Sequence, residues 1–129
     1  MTRETGDLVL TAFNARDWDN VVARFAPDGL FYLGPCAPCQ GHTAIRKLLD
    51  AFGAAYDIRI RHWSHIVDGN RLATQAGARI TYKRTVEGLP EARGQTIDMP
   101  FATFLTLTDD RVSHFRVIFS PVQWRNAIA

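Results

Sequence analysis

The sequence predicts an α+β domain in which a cone-shaped, curved antiparallel sheet wraps around three N-terminal helices and encloses a pocket. Three observations predict it. Apolar residues recur at three- and four-residue spacing as far as Tyr56, and from Ile58 onward they alternate at a spacing of two. Asp68-Gly69-Asn70 and Asp109-Asp110 are turn signals that divide the second half into antiparallel hairpins. The chain has 129 residues, enough for one core and too few for two ordinary domains, so residues 1–129 form a single domain. Helices that precede all the long strands gather on one face of the sheet, and the open end of a cone is a pocket.

The first helix is expected over residues 4–16, with Leu8, Val9, Ala12 and Phe13 on one face. Asp17 can cap a second helix, whose stripe is Trp18, Val21, Val22 and Phe25. Pro27-Asp28-Gly29 stops it, and Leu30 to Leu33 form a short strand. A loop from Gly34 to Gly41 leads to a third helix from about His42 to Tyr56, capped by His42 or Thr43, with Ile45, Leu48, Leu49, Phe52 and Tyr56 inward. Strands 58–67 and 71–85 follow. Val67, His65 and Trp63 share a face with Leu72, Thr74, Ala76, Ala78, Ile80 and Tyr82. Gln75, Arg79, Thr81 and Lys83 on the other face mark a half-solvated sheet. A connection to about Gly94 precedes the closing hairpin, residues 97–121, and Gln123 to Ala129 read as a short tail.

That hairpin bears most directly on the pocket. With Asp109-Asp110 as the loop, Ala102 lies opposite Val117, Phe104 opposite Phe115, and Pro100 opposite Phe119. This face is apolar and offers no acid or base at its centre. Met99, Phe101, Leu105 and Leu107 then fall on the other side, so the strand is apolar on both faces, as a doubly buried or interfacial strand is.

Composition narrows the function classes. The chain is 47% hydrophobic and 22% charged, within the globular range. Fifteen basic against thirteen acidic residues leave a net charge of +2, without a run of five like charges, so neither nucleic acid nor a membrane surface is an expected partner. No apolar stretch approaches the roughly 18 residues of a membrane span, and MTRETGD lacks the apolar core of a secretory signal. A cytoplasmic location is expected. Cys36-Ala37-Pro38-Cys39 has the spacing of a redox dithiol, but Gln40-Gly41 separates it from the next helix, and the loop reading is the stronger one. No second Cys/His pair completes a zinc set, so no metal is expected.

Asn14-Ala15-Arg16-Asp17, Phe25-Ala26-Pro27-Asp28, Gly41-His42-Thr43-Ala44-Ile45, Asp68-Gly69-Asn70-Arg71 and the strand from Arg111-Val112 to Phe119 occur in an order that resembles the nuclear transport factor 2-like superfamily. Within it, the chain is most similar to the SnoaL-like polyketide cyclases and relatives of ketosteroid isomerase, over nearly its whole length. The resemblance implies a cofactor-free small-molecule enzyme of lyase or isomerase type, acting on an apolar cyclic or aromatic substrate. Because the superfamily also holds binding and association domains, the alternatives are a non-catalytic site for a small hydrophobic ligand or a dimerising domain. It further implies a homodimer through the outer sheet face, with Gln75, Arg79 and Arg116 as a polar surround.

Carried over residue by residue, the isomerases' tyrosine falls at about Val9, their general base at about Gly34 and their protonated second acid at Ala102. The last-strand aspartate of the epoxide hydrolases falls near Val117. None of these positions keeps a polar group. The tyrosine, histidine and aspartate of scytalone dehydratase-like members are the least contradicted pattern.

By parity, His65 is therefore the candidate general base, Asp98 the group that orients its ring, and Tyr32 or Tyr82 the proton donor. Core packing is the competing account of His65 beside Trp63 and of both tyrosines, and solvation that of Asp98. The expected ligand-binding wall consists of Trp63, Tyr82, Ala102, Phe104, Phe115, Val117 and Phe119. His62 and His114 fall on the opposite face and complete no metal-ligand set.

Overall fold

The computed structural model describes residues 2–129. In order, the elements are α1 (Thr2–Asn14), α2 (Trp18–Ala23), β1 (Phe25–Leu33), β2 (Cys39–Gln40), α3 (Gly41–Ala55), β3 (Tyr56–Asp68), β4 (Arg71–Tyr82), β5 (Gln95–Thr108), β6 (Arg111–Ile118) and α4 (Pro121–Ile128). One six-stranded sheet runs β2-β1-β6-β5-β4-β3. The α+β arrangement is as expected, with one addition: β1 runs parallel to β6, which makes the curved sheet mixed. The helices pack on its inner face, where Val9, Val21, Ile45 and Leu49 meet Phe25, Phe31, Leu105, Val112 and Phe115 in one core.

Local signals account for most boundaries. The Asp17 carboxylate accepts the backbone N–H of Asn20 at 3.3 Å and starts α2. That helix stops at Ala23, short of the apolar stripe, because Val112 donates its N–H to the carbonyl of Arg24 and draws the chain into the sheet. Phe25 thus opens β1, wholly buried, rather than ending a helix. His42 lies inside α3 and does not cap it; its Nε2 is bonded to the carbonyl of Phe25 at 2.9 Å. The Asp109-Asp110 turn is tight, with both residues at positive φ (51° and 63°), the geometry that suits the twist of a two-residue hairpin. The final residues are a helix rather than a tail: Ser120 accepts the N–H of Gln123 at 3.1 Å, and Pro121 occupies the first turn.

Two one-residue bulges decide which side chains face inward. In β3 the register shifts between Arg61 and Ser64, where His62 sits at φ 56°. Ile58 and Ile60 point in before it, Trp63 and His65 after it. In the closing hairpin the register shifts beyond Leu107–Val112, so Thr106 pairs with His114 and Ser113 is the extra residue. Ala102 consequently pairs with Ile118, Thr103 with Val117 and Leu105 with Phe115. The inner row of β5 is Met99, Phe101, Thr103, Leu105 and Leu107, while Ala102 and Phe104 turn outward. This inverts the face expected for β5 and keeps the one expected for β6.

Candidate functional site

Between the helices and the inner face of the sheet lies a cavity of about 280 Å3. α1 contributes Val9, Leu10 and Phe13, and α3 contributes Leu48, Leu49 and Phe52. The sheet supplies Phe31, Ile60, Met99, Phe101, Thr103 and Val117, among others, and Phe119 and Trp124 close in from the C-terminal segment. Among the described residues that line it there is no Asp, Glu, Lys, Arg or His. Side-chain polar atoms come only from Cys36, Tyr56, Thr103 and Trp124. A lining of this kind offers contact area to an apolar molecule and nothing to balance a full charge.

Tyr56 sits where α3 passes into β3, its ring 5.1 Å from that of Phe52, 5.5 Å from Tyr82 and 5.2 Å from Trp124. Burial pushes its phenol above the usual tyrosine range, with the Trp124 indole acting in the opposite sense. It is thus a neutral hydroxyl at physiological pH.

The proposed catalytic set does not assemble in this cavity. The His65 side chain is only 3% exposed and lies beneath α1, away from the cavity lining. Its Nε2 is 2.7 Å from Oδ1 of Asp7, and its Nδ1 is 2.7 Å from the Thr74 hydroxyl. With Nε2–H donating to the carboxylate, a neutral ring leaves Nδ1 to accept from Thr74. The indole N–H of Trp63 donates to the same oxygen of Asp7 at 2.9 Å. These bonds hold the Asp7 carboxyl below its usual range; the His65 hydrogen bond is the largest cause, burial opposes it, and Trp63 adds to it. Gly6 completes the fit, since a Cβ there would lie 2.3 Å from Cδ2 of Leu72 and 3.3 Å from Cε1 of His65.

Asp98 is on the outer face, paired with Arg79 at 3.2 Å, and has no part in orienting His65. Tyr32 also points outward, because Phe31 and Leu33 are its inward neighbours, and the Arg116 guanidinium lies 4.0 Å from its ring centroid. Tyr82 faces inward but is wholly buried; its hydroxyl donates to the carbonyl of Pro90 at 2.7 Å and accepts from the N–H of Val86 at 2.9 Å. It anchors the β4–β5 connection. Of the expected ligand wall, Phe115, Val117 and Phe119 line the cavity. Trp63 and Tyr82 lie behind it, and the Ser113 bulge turns Ala102 and Phe104 away, leaving Phe104 50% exposed.

The positions taken from the resemblance are equally instructive. Val9 and Val117 line the cavity as apolar surface. Gly34 is left-handed (φ 56°), and a Cβ there would lie 2.5 Å from the Phe119 ring, so that ring stands where a carboxylate side chain would begin. Cys36 is exposed and reaches the cavity, Cys39 packs against the core, and both are free thiols. Among the described residues no group of three or more His, Cys, Asp or Glu could hold a metal ion. No helix among them is long and apolar enough to cross a membrane.

The sequence reading missed Thr103, Tyr56 and Trp124 as cavity residues and Asp7 as the partner of His65. Ser120-Pro121 followed by Gln123 is a helix-start signal that points to α4 and hence to Trp124. No glycine or proline marks either bulge, at His62 or at Ser113.

Fold and cavity together define a cone-shaped α+β domain with an apolar interior. A model of the SnoaL-like domain matches residues 8–115, and the chain belongs to that family, within the nuclear transport factor 2-like superfamily. No curated protein matches it. A candidate polyketide cyclase from Xanthomonas campestris pv. campestris has the same fold, with a TM-score of 0.96 at 24% identity, covering 99% of this chain and 96% of the other. A candidate polyketide cyclase from Pseudomonas putida KT2440 gives a TM-score of 0.93 at 21% identity, covering 100% and 98%. TerC, crystallised with polyporic acid, gives 0.80 at 18% identity, covering 98% and 97%.

Proposed function

We propose that the cone is a receptacle for a small hydrophobic ring compound, bound without a cofactor, and that the chain acts as a binding domain rather than as an acid–base enzyme. One observation carries this reading: a cavity of about 280 Å3 has no Asp, Glu, Lys, Arg or His among its described lining residues. An engineered apolar cavity of about 150 Å3 takes up benzene, so the volume here suits two fused or linked rings. The family's isomerase and cyclase members favour the same substrate class. TerC, a protein of the same fold, was co-crystallised with polyporic acid.

Catalysis has one foothold in this cavity, the neutral hydroxyl of Tyr56, which can donate a proton or a hydrogen bond to a bound carbonyl or hydroxyl. A lyase, isomerase or cyclase step without a cofactor would run through it. A Tyr56→Phe variant separates the two readings, because loss of turnover with retained binding speaks for the enzyme.

The test of the receptacle uses N-phenyl-1-naphthylamine, a neutral dye that brightens in apolar surroundings. Saturable binding at one dye per chain is expected, with an accompanying rise in melting temperature. A protein that leaves the dye dark at micromolar concentrations has no such receptacle.

The outer sheet face is read as a homodimer surface in the same proposal. Phe104 and Ile118 are 50% and 44% exposed there, among Gln75, Arg79 and Arg116. Light scattering should give twice the chain mass at micromolar concentration, and a monomer mass would refute it. A cytoplasmic setting, where Cys36 and Cys39 stay reduced, fits this reading.

A further inference from the structure

We infer that Thr103 is the residue through which the cavity selects its ligand, by a hydrogen bond to one neutral oxygen, carbonyl or hydroxyl, on an otherwise apolar ring compound. The inference rests on the receptacle reading above and adds the chemistry of what the receptacle prefers.

Thr103 is 3% exposed and stands on the inner row of β5, among the residues that line the cavity. No group among the described residues hydrogen-bonds its hydroxyl. Yet no buried side-chain nitrogen or oxygen among the described residues is both sealed off and unpartnered. The Thr103 hydroxyl therefore opens onto cavity space. Its strand neighbours explain why no protein group meets it. Val117, opposite on β6, is apolar, and Thr74, opposite on β4, has its hydroxyl engaged with Nδ1 of His65 at 2.7 Å.

Buried hydroxyls in folded proteins are nearly always bonded, so one held open in an apolar cavity waits for a partner that the ligand brings. A hydroxyl both donates and accepts, which suits a ketone as well as a phenol or alcohol. The partner is neutral because a carboxylate or ammonium would enter a lining that holds no opposite charge. A site built to meet an oxygen also discriminates against the bare hydrocarbon, since that ligand leaves the hydroxyl unpaired.

The experiment is isothermal titration of the full chain and of Thr103→Val, which replaces a hydroxyl by a methyl of similar shape. The probes are 2-naphthol, naphthalene and 2-naphthoate. Thr103→Val should weaken 2-naphthol by about 5- to 10-fold and shift naphthalene by no more than about twofold. Thr103→Ser should restore most of the 2-naphthol affinity, and 2-naphthoate should bind the unaltered chain at least about tenfold more weakly than 2-naphthol. Should the valine variant fail to fold, Thr103→Ala removes the same hydroxyl with a smaller side chain and takes its place. Equal discrimination between 2-naphthol and naphthalene with and without the hydroxyl overturns the role of Thr103 while leaving the receptacle standing. Failure of the unaltered chain to bind either one overturns the receptacle, and this inference with it.

Discussion

His65 and Thr103 belong to one row across the inner face of the sheet, in which His65 pairs with Thr74, Thr74 with Thr103, and Thr103 with Val117. At the β3 end, each ring nitrogen of His65 has a partner, and the half-exposed Asp7 carboxylate ties α1 to the sheet. At the β5 end, the hydroxyl of Thr103 has none among the described residues and faces the apolar cavity. The difference shows where this protein spends its polar groups. The histidine that reads as a catalytic base is a fastener, held by bonds that leave it nothing to offer a substrate. The cavity that reads as an active site is lined almost wholly by apolar side chains, with no Asp, Glu, Lys, Arg or His among the described residues.

The fastener should matter most to stability. His65→Ala leaves Asp7 and Thr74 unpaired and opens a void beneath α1, and should lower the unfolding free energy by about 2–4 kcal/mol in urea titration. A loss below about 0.5 kcal/mol would mean that the cluster is ornamental to the fold.

Asp7→Asn is milder, because the carboxylate is half exposed and its bonds are screened; about 0.5–1 kcal/mol is expected near neutral pH. The folded-state pKa of Asp7 is depressed below its unfolded value. Its contribution is therefore fully present above about pH 4 and is lost as the pH falls through the folded value. The gap between the two proteins should close in acid. A gap that widens there would refute the assignment.

Val117→Phe probes the other end of the row. A ring in the cavity should change stability by less than about 1 kcal/mol, since the added volume enters empty space. Dye uptake should fall at least about tenfold, which a merely incidental void would not require. Together the three variants separate a residue that holds the fold from a space that holds a ligand.

Much of the fold was legible in the sequence. The helix-to-strand switch near Tyr56, the Asp17 cap, the inner face of β4 and the Asp109-Asp110 turn are local patterns, and each appears where it was expected. The candidate site was far less legible. Phe115, Val117 and Phe119 line the cavity, but Tyr32, Asp98, Ala102 and Phe104 point away from it. One bulge residue reverses the parity of everything beyond it, and neither bulge is written in glycine or proline.

The sequence by itself determined the kinds of element, their order and the apolar character of the interior. Period and turn chemistry are properties of neighbouring residues, so they survive without knowledge of the fold. Tertiary structure decided which face of β5 meets the helices, that Asp7 rather than Asp98 holds His65, and that Thr103 is left open. These facts rest on residues up to 58 positions apart and on the space left over when all of them have packed. A pairing across that distance, or an emptiness between elements, has no local pattern to announce it.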